Sequence, residues 1–233
     1  MIRYGIISEK DPREIVLLRG RGCFYKKCTF CDYHLDASLD DEANFALNQA
    51  VLEKVTGLYH NLEVINSGSF HELDERTLSL IGEIALKKQI KILHFEAHYL
   101  VRELIPQLRA RYSAFEVRMR LGLETFDYAL RENYLKKGIA SNSPEDIAKD
   151  FQEANFLFGI TGQTLDSMNK DIELGLKYFQ RITVNIMCDN TTPIKPDQKV
   201  IALFKEKIYP KIKDDSRIDI LINNTDFGVG TPE

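Results

Sequence analysis

Cysteine is scarce in this chain of 233 residues: there are four, three of them within nine positions. A disulfide-stapled secreted domain needs paired cysteines spread along the chain, so that class is excluded and a reducing, cytoplasmic compartment is expected. No apolar run approaches the ~20 residues that span a bilayer. The opening stretch MIRYGIISEKDPRE is too charged for a secretory signal. Positive charge is not in excess, since 31 Lys and Arg against 35 Asp and Glu leave a net charge of −4. A large nucleic-acid footprint needs a basic face, so small molecules are the expected substrates. Repeats, linkers and low-complexity segments are also missing, which predicts one domain over 1–233. Hydrophobic residues, at 44%, suffice for one sizeable core.

The stretch that carries chemistry is Arg19-Gly-Arg-Gly-Cys23-Phe-Tyr-Lys-Lys-Cys28-Thr-Phe-Cys31-Asp32, with the spacing C-x4-C-x2-C. The apolar run Ile15-Val16-Leu17-Leu18 before it reads as a buried strand. Structural zinc and electron-transfer iron–sulfur centres normally take four protein ligands. Three thiolates on a [4Fe–4S] cube leave one iron open for another molecule. Two other readings stand beside this one. His34 or a distant histidine would complete a Cys3His zinc site, and a fourth ligand would make an electron carrier.

Apolar periodicity and capping signals order the rest of the chain. Strands are expected at 4–7, 14–19, 61–66, 89–95, 115–123, 156–160, 181–187 and 216–222. Helices are expected at 40–59, 74–88, 99–112, 126–137, 145–150, 165–179 and 197–209. Six β-then-α units imply a parallel sheet with right-handed crossovers. No G-x-G-x-x-G follows the first of those strands, which disfavours a dinucleotide-binding sheet. The predicted fold is α/β, a partial (β/α)6 TIM-type barrel, with the cysteine loop at the carboxyl face where such folds place their chemistry. Each other strand end also leads into polar residues: Asn66-Ser67-Gly68-Ser69, Glu96 and His98, Glu124-Thr125, Gly159-Ile160-Thr161, and Cys188-Asp189-Asn190.

The cysteine loop resembles that of the radical S-adenosylmethionine superfamily, whose usual spacing is C-x3-C-x2-C with an aromatic before the last cysteine. Phe30 fits the aromatic, and the first gap is one residue longer. The resemblance implies a [4Fe–4S] cluster on Cys23, Cys28 and Cys31 whose open iron takes S-adenosyl-L-methionine. It places Ser67-Gly68 at the glycine-rich element that holds the methionine amino group, without the usual Gly-Gly-Glu wording. Glu96 and Glu124 fall at the ribose positions, Lys136 at the cation for the methionine carboxylate, and Gly159-Ile160 against adenine. Lys26 and Lys27 would offset charge on an anionic cluster. An electron donor such as flavodoxin or ferredoxin is the implied partner.

Auxiliary cysteine clusters are absent, and Cys188 reads as a small hydrophobe. The wording C-T-F-C-D-Y-H-L-D and the segment Phe95-Glu-Ala-His98 are similar to a lyase branch of the superfamily that frees a deazaguanine base from a cyclopentenediol. Such a deazapurine needs a carboxylate for its N–H edge and polar groups for the diol. Asp36, Asn185, Asp189 and Asp226 are the candidates.

Overall fold

In the structure, a computed structural model that describes residues 2–223, strand order follows chain order from the first strand to the eighth. The strands are β1 (Tyr4–Ile7), β2 (Arg13–Leu18), β3 (Asn61–Asn66), β4 (Ile92–Ala97), β5 (Glu116–Glu124), β6 (Glu153–Phe158), β7 (Arg181–Ile186) and β8 (Ile218–Leu221). The helices are α1 (Asp41–Leu52), α2 (Glu75–Lys87), α3 (Ile105–Arg111), α4 (Pro144–Ala148), α5 (Leu165–Tyr178), α6 (Gln198–Lys207) and α7 (Tyr209–Ile212). Six β-then-α units run from β2 to α6, with a π-helical turn at Ala129–Tyr134 serving β5. This is the alternation of the expected partial (β/α)6 barrel. Among the described residues no helix is long and apolar enough to cross a membrane. The chain divides into two compact parts, residues 2–26 with 33–119, and residues 27–32 with 120–223.

In the first part β2 is buried along its whole length and pairs antiparallel with β1 and parallel with β3, which pairs parallel with β4. Its core is Val16, Leu18, Leu62, Val64, Leu93 and Phe95, with Ile81 and Ala85 from α2. Tyr112 stacks on Phe95 with ring centroids 5.3 Å apart and donates its hydroxyl to the Leu78 carbonyl at 2.7 Å. Helix α1 stops at Leu52, not at Tyr59 as its periodicity predicts. The reason is Glu14, whose buried carboxylate accepts N–H bonds from Thr56 and Gly57 at 2.7 Å each. Burial alone would raise the Glu14 pKa, but those bonds and the Tyr4 hydroxyl outweigh it and lower it. Gly57 sits at φ +84°, and a Cβ there would strike the Lys88 carbonyl.

In the second part β5 pairs parallel with β6, β6 with β7, and β7 with β8. Phe156, Phe158, Val184, Ile182 and Phe204 are fully buried or nearly so. Strand β6 starts three residues earlier than expected and ends at Phe158, because Gly159 turns the chain at φ +93°. The expected helix over 126–137 is a π turn instead, with the Leu135 N–H bonded to the Leu130 carbonyl at 2.9 Å. Arg131 forces that wider turn to be useful. Fully buried, it donates to the carbonyls of Thr125, Ile139 and Ser141 at 3.2, 3.0 and 2.6 Å.

Candidate active site

All four cysteines are free thiols and all are half-buried, as ligands open to an inorganic group must be. Cys23 belongs to the first part, where it lies beside the element after β3. A Cβ on Gly68 would collide with the Glu72 carboxylate and come within 3.2 Å of the Cys23 Cα, so this backbone approach requires glycine. Glu72 organises the neighbourhood. Its carboxylate accepts the N–H of Ser69 at 2.5 Å and the N–H of Phe24, the residue after Cys23, while its carbonyl accepts the Arg21 N–H at 3.3 Å. Burial pushes the Glu72 carboxyl above the usual carboxylate range. The serine hydroxyl of Ser69 accepts the His98 N–H at 2.9 Å, tying the ends of β3 and β4 together. His98 stacks on Tyr25 at 4.6 Å, and Phe24, 46% exposed, meets the His98 and His71 rings edge-on.

Asp36 lies on a short 3₁₀ turn over Tyr33–Asp36, ion-paired to Arg3 and accepting from the Ser67 hydroxyl at 3.1 Å. The structure therefore brings Asp36, Ser67, Gly68 and Cys23 into one network through Ser69 and Glu72. Glu96 is half-buried near the end of β4. His34 is exposed on the same turn as Asp36.

Cys28, Phe30 and Cys31 belong to the second part, on a segment stitched to the π turn. The last carbonyls of a helical turn have no partner within the turn. Here Thr29 takes two of them, its N–H donating to Leu135 at 3.1 Å and its hydroxyl to Tyr134 at 2.7 Å. From the connection after β7, the Asn190 amide donates to the Phe30 carbonyl at 2.7 Å, and Thr191 donates twice to Asp32 at 3.0 Å. The Phe30 ring packs on the apolar cluster of Leu135, Leu157, Ile160, Met187 and Ile194. Ile160 is thus placed with Phe30.

Glu124 ends β5 in the left-handed region at φ +71°, a conformation that costs a non-glycine residue free energy and clusters at functional sites. Its carboxylate meets the Lys137 ammonium at 2.8 Å, and both side chains are buried. Burial alone would lower the lysine pKa; the Glu124 carboxylate, with the Cys28 and Cys31 side chains nearby, raises it above the ordinary value. A Cβ on Gly122 would come within 2.8 Å of that ammonium, so glycine leaves the room it occupies. Lys136, the cation expected from the sequence, is exposed at φ +57°. Asn185 is half-buried on β7, and Asp189 is exposed and ion-paired to Lys195 at 2.7 Å. Asp226 lies outside the described residues.

Two residues here were missed from sequence. Glu72 carried a signal, since Ser69-x-x-Glu72 is the capping-box pattern and the box forms. Lys137 carried none that separates it from Lys136. Within the second part, two half-buried thiols, Cys28 and Cys31, on a segment beside the buried Lys137 ammonium suit an anionic iron–sulfur group; within the first part, Cys23 offers a third half-buried thiol.

A queuine lyase from Clostridium spiroforme, solved bound to SAM and queuine, is 45% identical to this chain. The match covers 99% of this chain and 100% of that one, with a TM-score of 0.94. The chain belongs to the queuine lyase family. It thereby belongs to the radical S-adenosylmethionine superfamily, as the cysteine loop implied. SuiB from Streptococcus suis shares the fold, with a TM-score of 0.55 at 15% identity over 90% of this chain and 52% of that one. An uncharacterised protein of Methanocaldococcus jannaschii is 25% identical across 69% of this chain, which spans about half of that relative's length, 52%. No family model matches the chain.

Proposed function

We propose that this protein is a queuine lyase that cleaves the C–N bond between the cyclopentenediol and the aminomethyl-deazaguanine base. The observation that carries the reading is the 45% identity, along the whole chain, to a queuine lyase bound to SAM and queuine. In it, Cys23, Cys28 and Cys31 hold a [4Fe–4S] cluster. With S-adenosyl-L-methionine bound, the cluster supplies the one-electron reductive cleavage that yields a hydrogen-abstracting carbon radical.

The chain's own residues bind, orient and exclude water. Ser67 and Gly68 present backbone to the methionine amino group, with Glu72 fixing that backbone against the loop. Glu96 and Glu124 take the ribose hydroxyls, Phe30 and Ile160 line the adenine, and Lys136 serves the methionine carboxylate. Asp36 is the first candidate for the N–H edge of the deazaguanine, because a carboxylate accepts paired N–H donors in a bidentate manner. Asn185, Asp189 and Asp226 are the candidates for the diol. A one-electron donor such as flavodoxin or ferredoxin completes the system, in a reducing cytoplasm that keeps the thiols available.

The test is anaerobic turnover of queuine with reductant, followed by mass spectrometry. Aminomethyl-deazaguanine and 5′-deoxyadenosine appearing together support the reading. If 5′-deoxyadenosine forms while queuine stays intact, a different small-molecule substrate is indicated. A colourless protein with one tight zinc would overturn the radical reading altogether.

A further inference from the structure

Lys137 is a buried lysine, 9% exposed, in a chain that keeps Lys26 and Lys27 exposed on the cysteine loop itself. Burying an ion pair costs more desolvation than its attraction returns unless geometry is excellent, and an apolar pair of equal volume would pack as well. The Lys137–Glu124 pair therefore needs an electrostatic reason for its place. That reason lies in what surrounds it. The ammonium is 2.8 Å from Glu124 and 5.6 Å from the centroid of the Phe30 ring, between two cysteines in sequence. Thr29 docks the same segment onto the carbonyls of Tyr134 and Leu135, three and two residues before Lys137. Gly122 keeps the space clear.

We propose that Lys137 is the charge-balancing residue of the cysteine loop. Glu124 fixes its ammonium against the 28–31 segment, where it offsets the negative charge of the Cys28 and Cys31 ligands and sets the reduction potential of the group they hold. The proposal rests on the cluster reading above. An exposed lysine is screened by water and salt within about 10 Å. A buried one acts through a low dielectric, so its charge weighs far more on an adjacent redox centre. Reduction adds negative charge to the centre, and a fixed cation favours that reduced form.

The experiment compares reconstituted holoprotein of the wild type, Lys137→Arg, Lys137→Met and the double variant Lys137→Met/Glu124→Gln. The double variant leaves no buried carboxylate without its cation, so folding and charge are separated. Iron content, midpoint potential by redox titration, and thermal melting of the cluster-free protein are measured for each. Lys137→Met should lose at least tenfold in the reduction equilibrium, a negative shift of 59 mV or more for one electron, and the double variant, which removes one charge of each sign, should shift in the same direction by less. Lys137→Arg should stay near wild type. A double variant whose cluster-free fold melts normally but which cannot retain iron also supports the proposal. Full iron with an unmoved potential overturns it, as does a double variant whose cluster-free form fails to fold, since the pair would then be structural. A wild type that takes up no iron defeats the cluster reading, and this proposal with it.

Discussion

The Asn190 side-chain amide donates to the Phe30 carbonyl at 2.7 Å, across 160 positions of sequence. The connection after β7 thus holds the backbone between Cys28 and Cys31, and Asp32 is held by Thr191 next to it. A net hydrogen bond is worth about 1 kcal/mol, or roughly a fivefold change in an equilibrium. Asn190→Ala should therefore let iron escape to a chelator roughly fivefold faster than wild type, with the unloaded protein still folded. Equal release rates would show that the loop does not depend on this strut.

Much of this arrangement could be read from the residues. Strand β3 and the start of α2 at the Asp74 cap fall where the patterns put them, since alternation and capping are local properties. The three cysteines announce a site through spacing alone. Which of Lys136 and Lys137 is buried could not be read. Periodicity over 126–137 predicts an α-helix, whereas the buried Arg131 stabilises a π turn. One extra residue in a turn rotates every following side chain by about 100°, which places Lys137 inward and leaves Lys136 exposed. Glu72 failed for another reason: its helix is three residues long, and no hydrophobic period marks so short an element.

Cys188 lies half-buried near the carbonyls of Ile186 and Asn223, and burial raises its thiol pKa. A thiol held protonated is a poor metal ligand. Cys188→Ala should keep full iron and the visible absorbance of the reconstituted protein, while Cys23→Ala, Cys28→Ala and Cys31→Ala should each lose both. Iron retained at wild-type level by Cys28→Ala would remove the three-thiolate assignment.

Glu72 offers two acceptor oxygens to two N–H donors, those of Ser69 and Phe24. In Glu72→Gln one acceptor becomes an amide N–H2, which faces a donor, so one of the two N–H bonds is lost at a cost of about 1–2 kcal/mol. The Ser67-Gly68 backbone loses its register against Cys23. S-adenosylmethionine affinity, measured by anaerobic equilibrium binding, should fall roughly tenfold or more, and iron content should fall with it. Unchanged affinity would separate the glycine element from cofactor binding.

Asp171 on α5 is buried, accepts the Phe126 N–H at 2.7 Å, and is pushed from 3.8 up to about 7, chiefly by that burial. A carboxyl whose folded pKa is raised keeps its proton in the native state at a pH where the unfolded chain has lost it. Between about pH 4 and pH 7 the native state therefore binds the extra proton, and stability falls as pH rises, by roughly 1.4 kcal/mol per pH unit at most. Above that window both states are ionised and the slope disappears. Asp171→Asn retains an oxygen for the Phe126 N–H and cannot ionise, so its melting temperature should vary less between pH 5 and pH 7 than that of the wild type. Melting curves of the cluster-free protein across that range decide it, because no metal ligand then titrates along with the fold. Parallel curves for the two proteins would mean that Asp171 is ionised throughout and that the Phe126 and Thr125 bonds outweigh its burial.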